Sequence, residues 1–257
     1  GLFMSLGFVG TGTITAAMVR GLQRASYDQP IVLSPRNAKL AAELAAAYAV
    51  VSVAASNQEV LDQCDTIFIA VTPQVVAEVM GELRFEPRHR VVSLVATVSM
   101  RRLSELAAPA GRLRRAVPLP FVATGQGGTL LHPGDPELTA LFDLLGKSIT
   151  VTSEDDIDIL TVASATMSSY FATMGTVDRW LFDNGITAEQ SRAYLAQLGV
   201  GLAASAAENP KVSYAQLSRD FATPGGLNEQ LRQYLDKSGA LSGYATGMDA
   251  LLARIKG

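Results

Sequence analysis

A chain of 257 residues is long enough for two domains with cores of their own, and its composition (48% hydrophobic, 18% charged) excludes a disordered protein. The net charge of −3 gives no electrostatic reason to expect nucleic acid or an anionic membrane as a partner. One cysteine excludes an intramolecular disulfide and a cysteine-rich metal site, and two histidines leave little for zinc or iron, so we expect no metal.

Two further expectations concern the location of the protein and its first residues. No apolar run is long enough to span a bilayer and no signal segment opens the chain, so we expect a cytoplasmic protein without a membrane partner. Three residues precede Met4, which we interpret as the natural start, and we leave residues 1–3 out of the fold prediction.

Short apolar runs alternate with helical stretches from Ser5 to about Val151. Such near-continuous runs are expected of parallel strands that are covered on both faces. Their alternation with helices over short links predicts an α/β fold, a Rossmann-type doubly wound parallel sheet, over residues 1–152. The runs are residues 5–9, 31–33, 50–53, 66–71 and 90–95.

After Ser153 the pattern is helical only, which predicts an all-helical C-terminal domain over residues 153–257. One helix is expected from the acidic residues 154–156 to about Phe182, a second from Ala188 to about Glu208, and two or three shorter helices after it. The first helix carries more apolar side chains than one small helical domain needs. This excess is explained either by a core within the domain or by a subunit interface.

The first strand is followed by a glycine-rich turn in the position of a G-x-G-x-x-G dinucleotide loop. Gly10 permits the tight turn, and Gly12 lets the backbone approach a pyrophosphate. The following helix would offer the N–H groups of Thr13 and Ile14 to the phosphates. Position 15 is threonine where the fingerprint has glycine. The third glycine mainly allows close helix–strand packing, so another small residue is tolerated there. The alternative is an ordinary strand–helix turn that binds no nucleotide.

The end of the second strand distinguishes between the two nicotinamide coenzymes. An NAD site places Asp or Glu there to bind the ribose 2′-hydroxyl, and residues 33–37 contain no acid. Ser34 can donate a hydrogen bond, Arg36 can make charge-assisted contacts with a 2′-phosphate, and Asn37 would assist them. The segment therefore favours NADP over NAD, although Arg36 alone could also be a solvated surface charge.

Several motifs in one order resemble the pyrroline-5-carboxylate reductase family along nearly the whole chain. Residues 7–22 resemble its opening strand, loop and helix, and residues 91–96 resemble the strand that ends in S-x-x-A-G. Residues 70–74 are similar to V-K-P-Q with Thr72 in place of lysine. Residues 115–118 stand in the place of R-x-M-P-N-T-P, residues 125–129 match G-x-G-x-T, and residues 222–228 resemble S-P-G-G-T-T.

The resemblance implies NADPH-dependent reduction of the C=N bond of a cyclic imino acid, 1-pyrroline-5-carboxylate, to proline. It also implies a homo-oligomer, dimer or higher, built through the C-terminal helices, with an active site formed by the nicotinamide and helices of both chains. The residues expected to hold the coenzyme are Gly10, Gly12, Thr13, Ile14, Ser34, Arg36, Asn37, Val71, Thr72, Pro73, Ala96 and Pro118. Substrate would be bound by Thr223, Gly225, Gly226, Ser168 and Tyr170, with Asn228 and Ser169 as the catalytic candidates.

Three stretches that would border substrate depart from the family pattern. Residues 164–170 replace S-G-S-G-P-A, residues 117–121 replace M-P-N-T-P, and Leu227 and Asn228 replace the two threonines of the late signature. Two alternatives therefore stay open: an NADP-dependent reductase of a different imine or carbonyl, and a non-catalytic NADP-binding protein. The absence of lysine between Lys147 and Lys211 counts against 3-hydroxyacid dehydrogenases, which use a lysine on a helix after the Rossmann domain.

Each substrate-side motif also has a purely structural interpretation. Residues 223–226 could be a simple loop-to-helix cap, and the polar side chains at 168–170 could bond back to their own helix or pack. His89 is expected to be solvated in a charged turn, His132 to lie in a loop, and Cys64 to be partly buried and inert.

Overall fold

The structure is a computed structural model that describes residues 4–257, so the interpretation of residues 1–3 lies outside the described part of the chain. Two compact units are present: a sheet unit that ends at Ile159 and a helical unit, Leu160–Gly257. The division falls within a helix, a few residues beyond the expected boundary at 152, and the domain limits stay a prediction.

The sheet unit is built on one eight-stranded sheet with strand order β3-β2-β1-β4-β5-β6-β7-β8. Strands β1 to β6 run parallel to one another, β7 pairs antiparallel with β6, and β8 is parallel to β7. The strands are β1 (Leu6–Val9), β2 (Ile31–Leu33), β3 (Val51–Val53), β4 (Thr66–Ile69), β5 (Arg90–Ser93), β6 (Arg112–Val117), β7 (Gly128–His132) and β8 (Lys147–Thr150). The predicted doubly wound sheet is confirmed, with an antiparallel extension that the apolar runs did not predict.

Helices cover both faces of the sheet. They are α1 (Thr13–Arg24), α2 (Ala38–Ala47), α3 (Asn57–Gln63), α4 (Val76–Gly81), α5 (Met100–Ala107), α6 (Pro136–Asp143) and a short 3₁₀ helix (Pro120–Thr124). One apolar cluster joins α1, α2 and α6 to one side of the strands, and a second joins α3, α4 and α5 to the other. The first cluster contains the stacked rings of Phe8 and Phe68, whose centroids are 4.9 Å apart. Burial on both faces explains why the central strands are mostly apolar.

Two buried arginines stand in strands and are paired with residues distant in sequence. Arg90 in β5 lies 3.3 Å from the Asp135 carboxylate, and its Nη2 donates to the Thr66 hydroxyl. Arg115 in β6 donates from Nη2 to the Ala96 carbonyl and lies 3.5 Å from Glu154 and 3.6 Å from Asp158. These partners satisfy charges that would otherwise be expensive to bury.

The expectation that His89 is solvated is wrong, because its side chain is buried inside the turn. His89 is 1% exposed, its Nδ1 accepts from the Glu86 N–H, and its Nε2 lies 2.8 Å from the Leu61 carbonyl. His132 ends β7 and contacts the Val151 carbonyl through Nδ1, so the loop assignment was also wrong. Burial and the neighbouring Asp65 raise the pKa of Cys64 to about 11, in agreement with an inert thiol.

The C-terminal part of the described chain contains helices only. They are α7 (Glu154–Ser164), α8 (Thr166–Asp183), α9 (Ala188–Glu208), α10 (Tyr214–Phe221), α11 (Leu227–Ser238) and α12 (Ser242–Lys256). The predicted helix from 154 to 182 is broken at Ala165, where the backbone N–H bonds to the carbonyl three residues back and Thr166 bonds to Ala163. The second helix has the predicted limits, with a capping box formed by Thr187 and Gln190.

The helical unit has almost no core of its own. Within Leu160–Gly257 only Val162 and Ser191 are buried, whereas large apolar side chains on α8, α9, α11 and α12 are exposed. Exposed apolar surface of this extent is typical of helices that pack against another protein surface. No helix in residues 4–257 combines the length and the apolar character needed to cross a bilayer.

Candidate functional site

The turn between β1 and α1 requires glycine at its first position. Gly10 has φ +106°, and a Cβ there would lie 2.5 Å from the Ala70 carbonyl oxygen at the end of β4. An L side chain would be strained by the backbone angle and would collide with a backbone atom of the neighbouring strand. The tight turn predicted at Gly10 is therefore what the chain adopts.

At Gly12, by contrast, no protein atom would collide with an added Cβ. A Cβ at Gly12 would meet nothing within 4 Å, so the space in front of it is open. Gly12 is also the N-cap of α1, no side chain caps the helix, and its first turn contains no acidic residue. A helix start of this kind offers N–H groups and positive potential to an anion, and the backbone at Gly12 is bare beside the open space.

The end of β2 is hydrogen-bonded to this turn. The Gly10 N–H donates to the Ser34 hydroxyl at 2.9 Å, and the Thr11 hydroxyl donates to the Ser34 carbonyl at 2.9 Å. Asn37, in the left-handed region with φ 59°, donates from Nδ2 to the Thr11 carbonyl at 3.0 Å. Ser34 is 1% exposed, whereas Arg36 is exposed. Of the three residues predicted to contact a 2′-phosphate, two are bonded to the loop and Arg36 is exposed.

The other predicted coenzyme residues lie after the neighbouring parallel strands. Val71, Thr72 and Pro73 follow β4, Ala96 follows β5, and Pro118 follows β6. Because β1, β2, β4, β5 and β6 are parallel, these residues share the carboxyl edge of the sheet with Gly10 and Gly12. Thr72, Pro73 and Ala96 are exposed and Pro118 is buried. The structure thus brings the residues to one edge, and their individual contacts with a coenzyme stay predictions.

The predicted substrate residues on α8 differ in their surroundings. The Ser169 hydroxyl donates to the Thr166 carbonyl at 3.0 Å, which is the local bonding expected of a serine in an apolar helix. Ser169 also lines a cavity of about 410 Å³ that α8 forms with α12, whereas Ser168 and Tyr170 are exposed. No sequence motif predicted the α12 residues of this cavity, which include Gly243, Tyr244 and Gly247.

The loop before α11 is a helix cap in this structure. The Gly226 N–H donates to the Thr223 carbonyl at 2.8 Å, and the Gly225 N–H donates to the Glu229 carboxylate at 3.2 Å. Asn228 is exposed in the first turn of α11. Both glycine N–H groups that we expected to bind a substrate carboxylate are therefore engaged, and Glu229 would have to release Gly225 before an anion could bind. This loop is not among the residues that line the cavity with Ser169.

Two family models match separate parts of the chain. Residues 5–97 match the model described as NADP oxidoreductase coenzyme F420-dependent, and residues 154–257 match the model described as pyrroline-5-carboxylate reductase dimerisation. The pyrroline-5-carboxylate reductase of Pasteurella multocida is 28% identical over 249 residues, which cover 91% of this chain and 90% of that protein. The chain is similar along nearly its whole length to pyrroline-5-carboxylate reductases. These matches confirm the resemblance found in the sequence, and the dimerisation model supports homo-oligomerisation through the C-terminal helices.

Solved structures of pyrroline-5-carboxylate reductases agree with this fold. The enzyme from Streptococcus pyogenes has a TM-score of 0.85 at 20% identity, with 100% of this chain and 99% of that chain covered. The Plasmodium falciparum pyrroline carboxylate reductase, solved with NADP bound, has a TM-score of 0.82 at 19% identity over 98% of this chain and 97% of that chain. The description of the model matched by residues 5–97, an NADP oxidoreductase, and the NADP bound in the Plasmodium falciparum structure agree with the coenzyme class expected from the loop.

Proposed function

We propose that this protein uses NADPH to reduce the C=N bond of a cyclic imino acid, 1-pyrroline-5-carboxylate, to proline. The observation that carries the proposal is the open space beside Gly12 at the uncapped start of α1, in a chain similar to pyrroline-5-carboxylate reductases. The acid-free end of β2 with its exposed Arg36 specifies the phosphorylated coenzyme. A cytoplasmic location stays a prediction.

Residues at the carboxyl edge of the sheet would hold the coenzyme. The backbone of Gly12, Thr13 and Ile14 would bind the pyrophosphate, and Arg36 would bind the 2′-phosphate. Ser34 and Asn37 would contribute through the loop, because their side chains bond to Gly10 and Thr11. The remaining contacts, along the path from the adenosine to the nicotinamide, are assigned to Val71, Thr72, Pro73, Ala96 and Pro118.

The coenzyme supplies the hydride, and the chain's own residues position the acceptor. A protonated imine is already electrophilic, so the substrate needs orientation more than a strong acid. We assign the orientation of the substrate to Ser169 and Asn228, with Ser168 and Tyr170 beside Ser169. The Thr223–Gly226 loop is assigned as the site that binds the substrate carboxylate. The oligomer, a dimer or higher, is proposed to form through the C-terminal helices, so that substrate residues of one chain are completed by a second copy.

We expect NADPH-dependent turnover of 1-pyrroline-5-carboxylate, measured as the loss of NADPH absorbance at several substrate concentrations. The six-membered cyclic imine is the matched comparison, because it carries the same functional group in a larger ring. Faster turnover of that analogue would favour the reductase of a different imine, in line with the altered substrate motifs. NADPH binding without turnover of either imine would favour a non-catalytic NADP-binding protein.

Arg36→Ala is expected to weaken NADPH binding by about 1.5–3 kcal/mol, as for the loss of a charge-assisted hydrogen bond, and to leave NADH binding nearly unchanged. The dissociation constants of the two coenzymes can be measured by calorimetry. Lys39→Ala removes a second exposed cation three residues later and should change neither constant by more than about twofold, as for a screened surface charge. Equal weakening of NADPH and NADH by Arg36→Ala would contradict the assignment.

A further inference from the structure

We propose that Thr15 is a positioning residue for the phosphate loop, in which its buried hydroxyl fixes the peptide of Gly10. The inference rests on the proposed coenzyme site and adds to it a residue that does not itself touch the coenzyme. Thr15 stands in place of the third glycine of the G-x-G-x-x-G fingerprint, where the sequence predicts only a tolerated replacement.

The hydrogen bonds at Gly10 involve two buried hydroxyl side chains, one in α1 and one directly after β2. The Thr15 hydroxyl donates to the Gly10 carbonyl at 2.7 Å, and the Gly10 N–H donates to the Ser34 hydroxyl at 2.9 Å. Thr15 is 0% exposed and Ser34 is 1% exposed, so both hydroxyl side chains are shielded from solvent. The amide and the carbonyl of the same glycine are thus both held by side chains.

A glycine with a positive φ angle needs such support more than other residues do. Gly10 has no side chain to restrict its backbone, and its two dihedral angles can change without steric penalty from its own atoms. Rotation at Gly10 would move Gly12 and the N–H groups at the start of α1 away from the position that faces a pyrophosphate. A side chain that stabilises one orientation before binding raises the fraction of molecules ready to bind.

This role makes a specific prediction about which ligands are affected. NADPH and NADH share the pyrophosphate, so loss of the Thr15 hydroxyl should weaken both by the same factor. Adenosine 2′-monophosphate lacks the pyrophosphate and would depend on Arg36 instead, so its affinity should not change. A residue that only stabilises the fold would change the unfolding temperature and leave all three affinities alone.

The test compares Thr15→Val, which keeps the shape and removes the hydroxyl, with Thr15→Ser, which keeps the hydroxyl. Calorimetry on the full chain should show about fivefold weaker binding of NADPH and of NADH for Thr15→Val, as for one neutral hydrogen bond, and recovery for Thr15→Ser. Competition by adenosine 2′-monophosphate should match wild type in both variants. Without coenzyme, the amides of residues 11–14 should exchange hydrogen faster in Thr15→Val.

Unchanged coenzyme affinity in a folded Thr15→Val variant would overturn the inference, and so would equal weakening of all three ligands. Should Thr15→Val fail to fold, Thr15→Ala removes the same hydroxyl, keeps a good helix former at this position and must give the same ligand pattern. Wild-type protein that binds neither coenzyme would refute the proposed function itself, whereas wild-type binding with an unaffected variant refutes only the role of Thr15.

Discussion

Gly12→Val is expected to reduce NADPH affinity by at least about 100-fold, or about 2.8 kcal/mol, while the protein stays folded. The backbone of Gly12 is extended, with φ −111°, and a Cβ there meets no protein atom within 4 Å, so valine is accommodated by the free protein. The added methyl groups would occupy the space assigned to the pyrophosphate and hold it away from the N–H groups of α1. Binding calorimetry and thermal unfolding of the same preparation measure the two effects separately.

Two other glycines serve as controls for this result. Gly81→Val adds the same side chain at the end of α4, where a Cβ also meets nothing, and should leave NADPH affinity unchanged. Gly10→Ala should instead lower the unfolding temperature, because its Cβ would lie 2.5 Å from the Ala70 carbonyl oxygen. Wild-type NADPH affinity in Gly12→Val would mean that the segment is an ordinary strand–helix turn.

The predictable part of the fold is the part whose strands are mostly apolar. Strands β1 to β5 lie within the five apolar runs, and β1, β2, β4 and β5 are buried along their whole length because helices cover both of their faces. Strand β6 was not predicted as a strand, since Arg112, Arg114 and Arg115 interrupt its apolar pattern. Arg115 is nevertheless buried, because Glu154 and Asp158 approach it from about forty residues along the chain. A pairing over that distance leaves no periodic signal in a single sequence.

The same distinction between local and distant contacts holds for the candidate site. The turn at Gly10 and the open start of α1 are local features, and the spacing of the glycines predicted them. The burial of Ser34 depends on how β2 packs beside β1, so its bond to Gly10 could not be read from residues 33–37 alone. Glu229 bonds to Gly225 only four residues away, and this contact could have been predicted as a local cap before α11.

Phe171→Asp is expected to convert the oligomer into single chains, with the dissociation constant raised by at least about two orders of magnitude. Phe171 is 70% exposed on α8, and Trp180 on the same helix is 63% exposed, in a unit with almost no core. A second copy that covers Phe171 would bury its ring, and a carboxylate in its place would have to lose its hydration there without a partner. In a symmetric dimer the substitution acts twice.

Light scattering after size-exclusion chromatography measures the mass of the particles directly. Ala42→Asp, at an exposed position of α2 in the sheet unit, adds the same charge and should leave the oligomer intact. Because the sheet unit has its own two apolar clusters, the Phe171→Asp variant should still bind NADPH even as single chains. Turnover should fall with the oligomer, since we propose that a second copy completes the substrate site. An unchanged particle mass would place the subunit contact on another face of the helical unit.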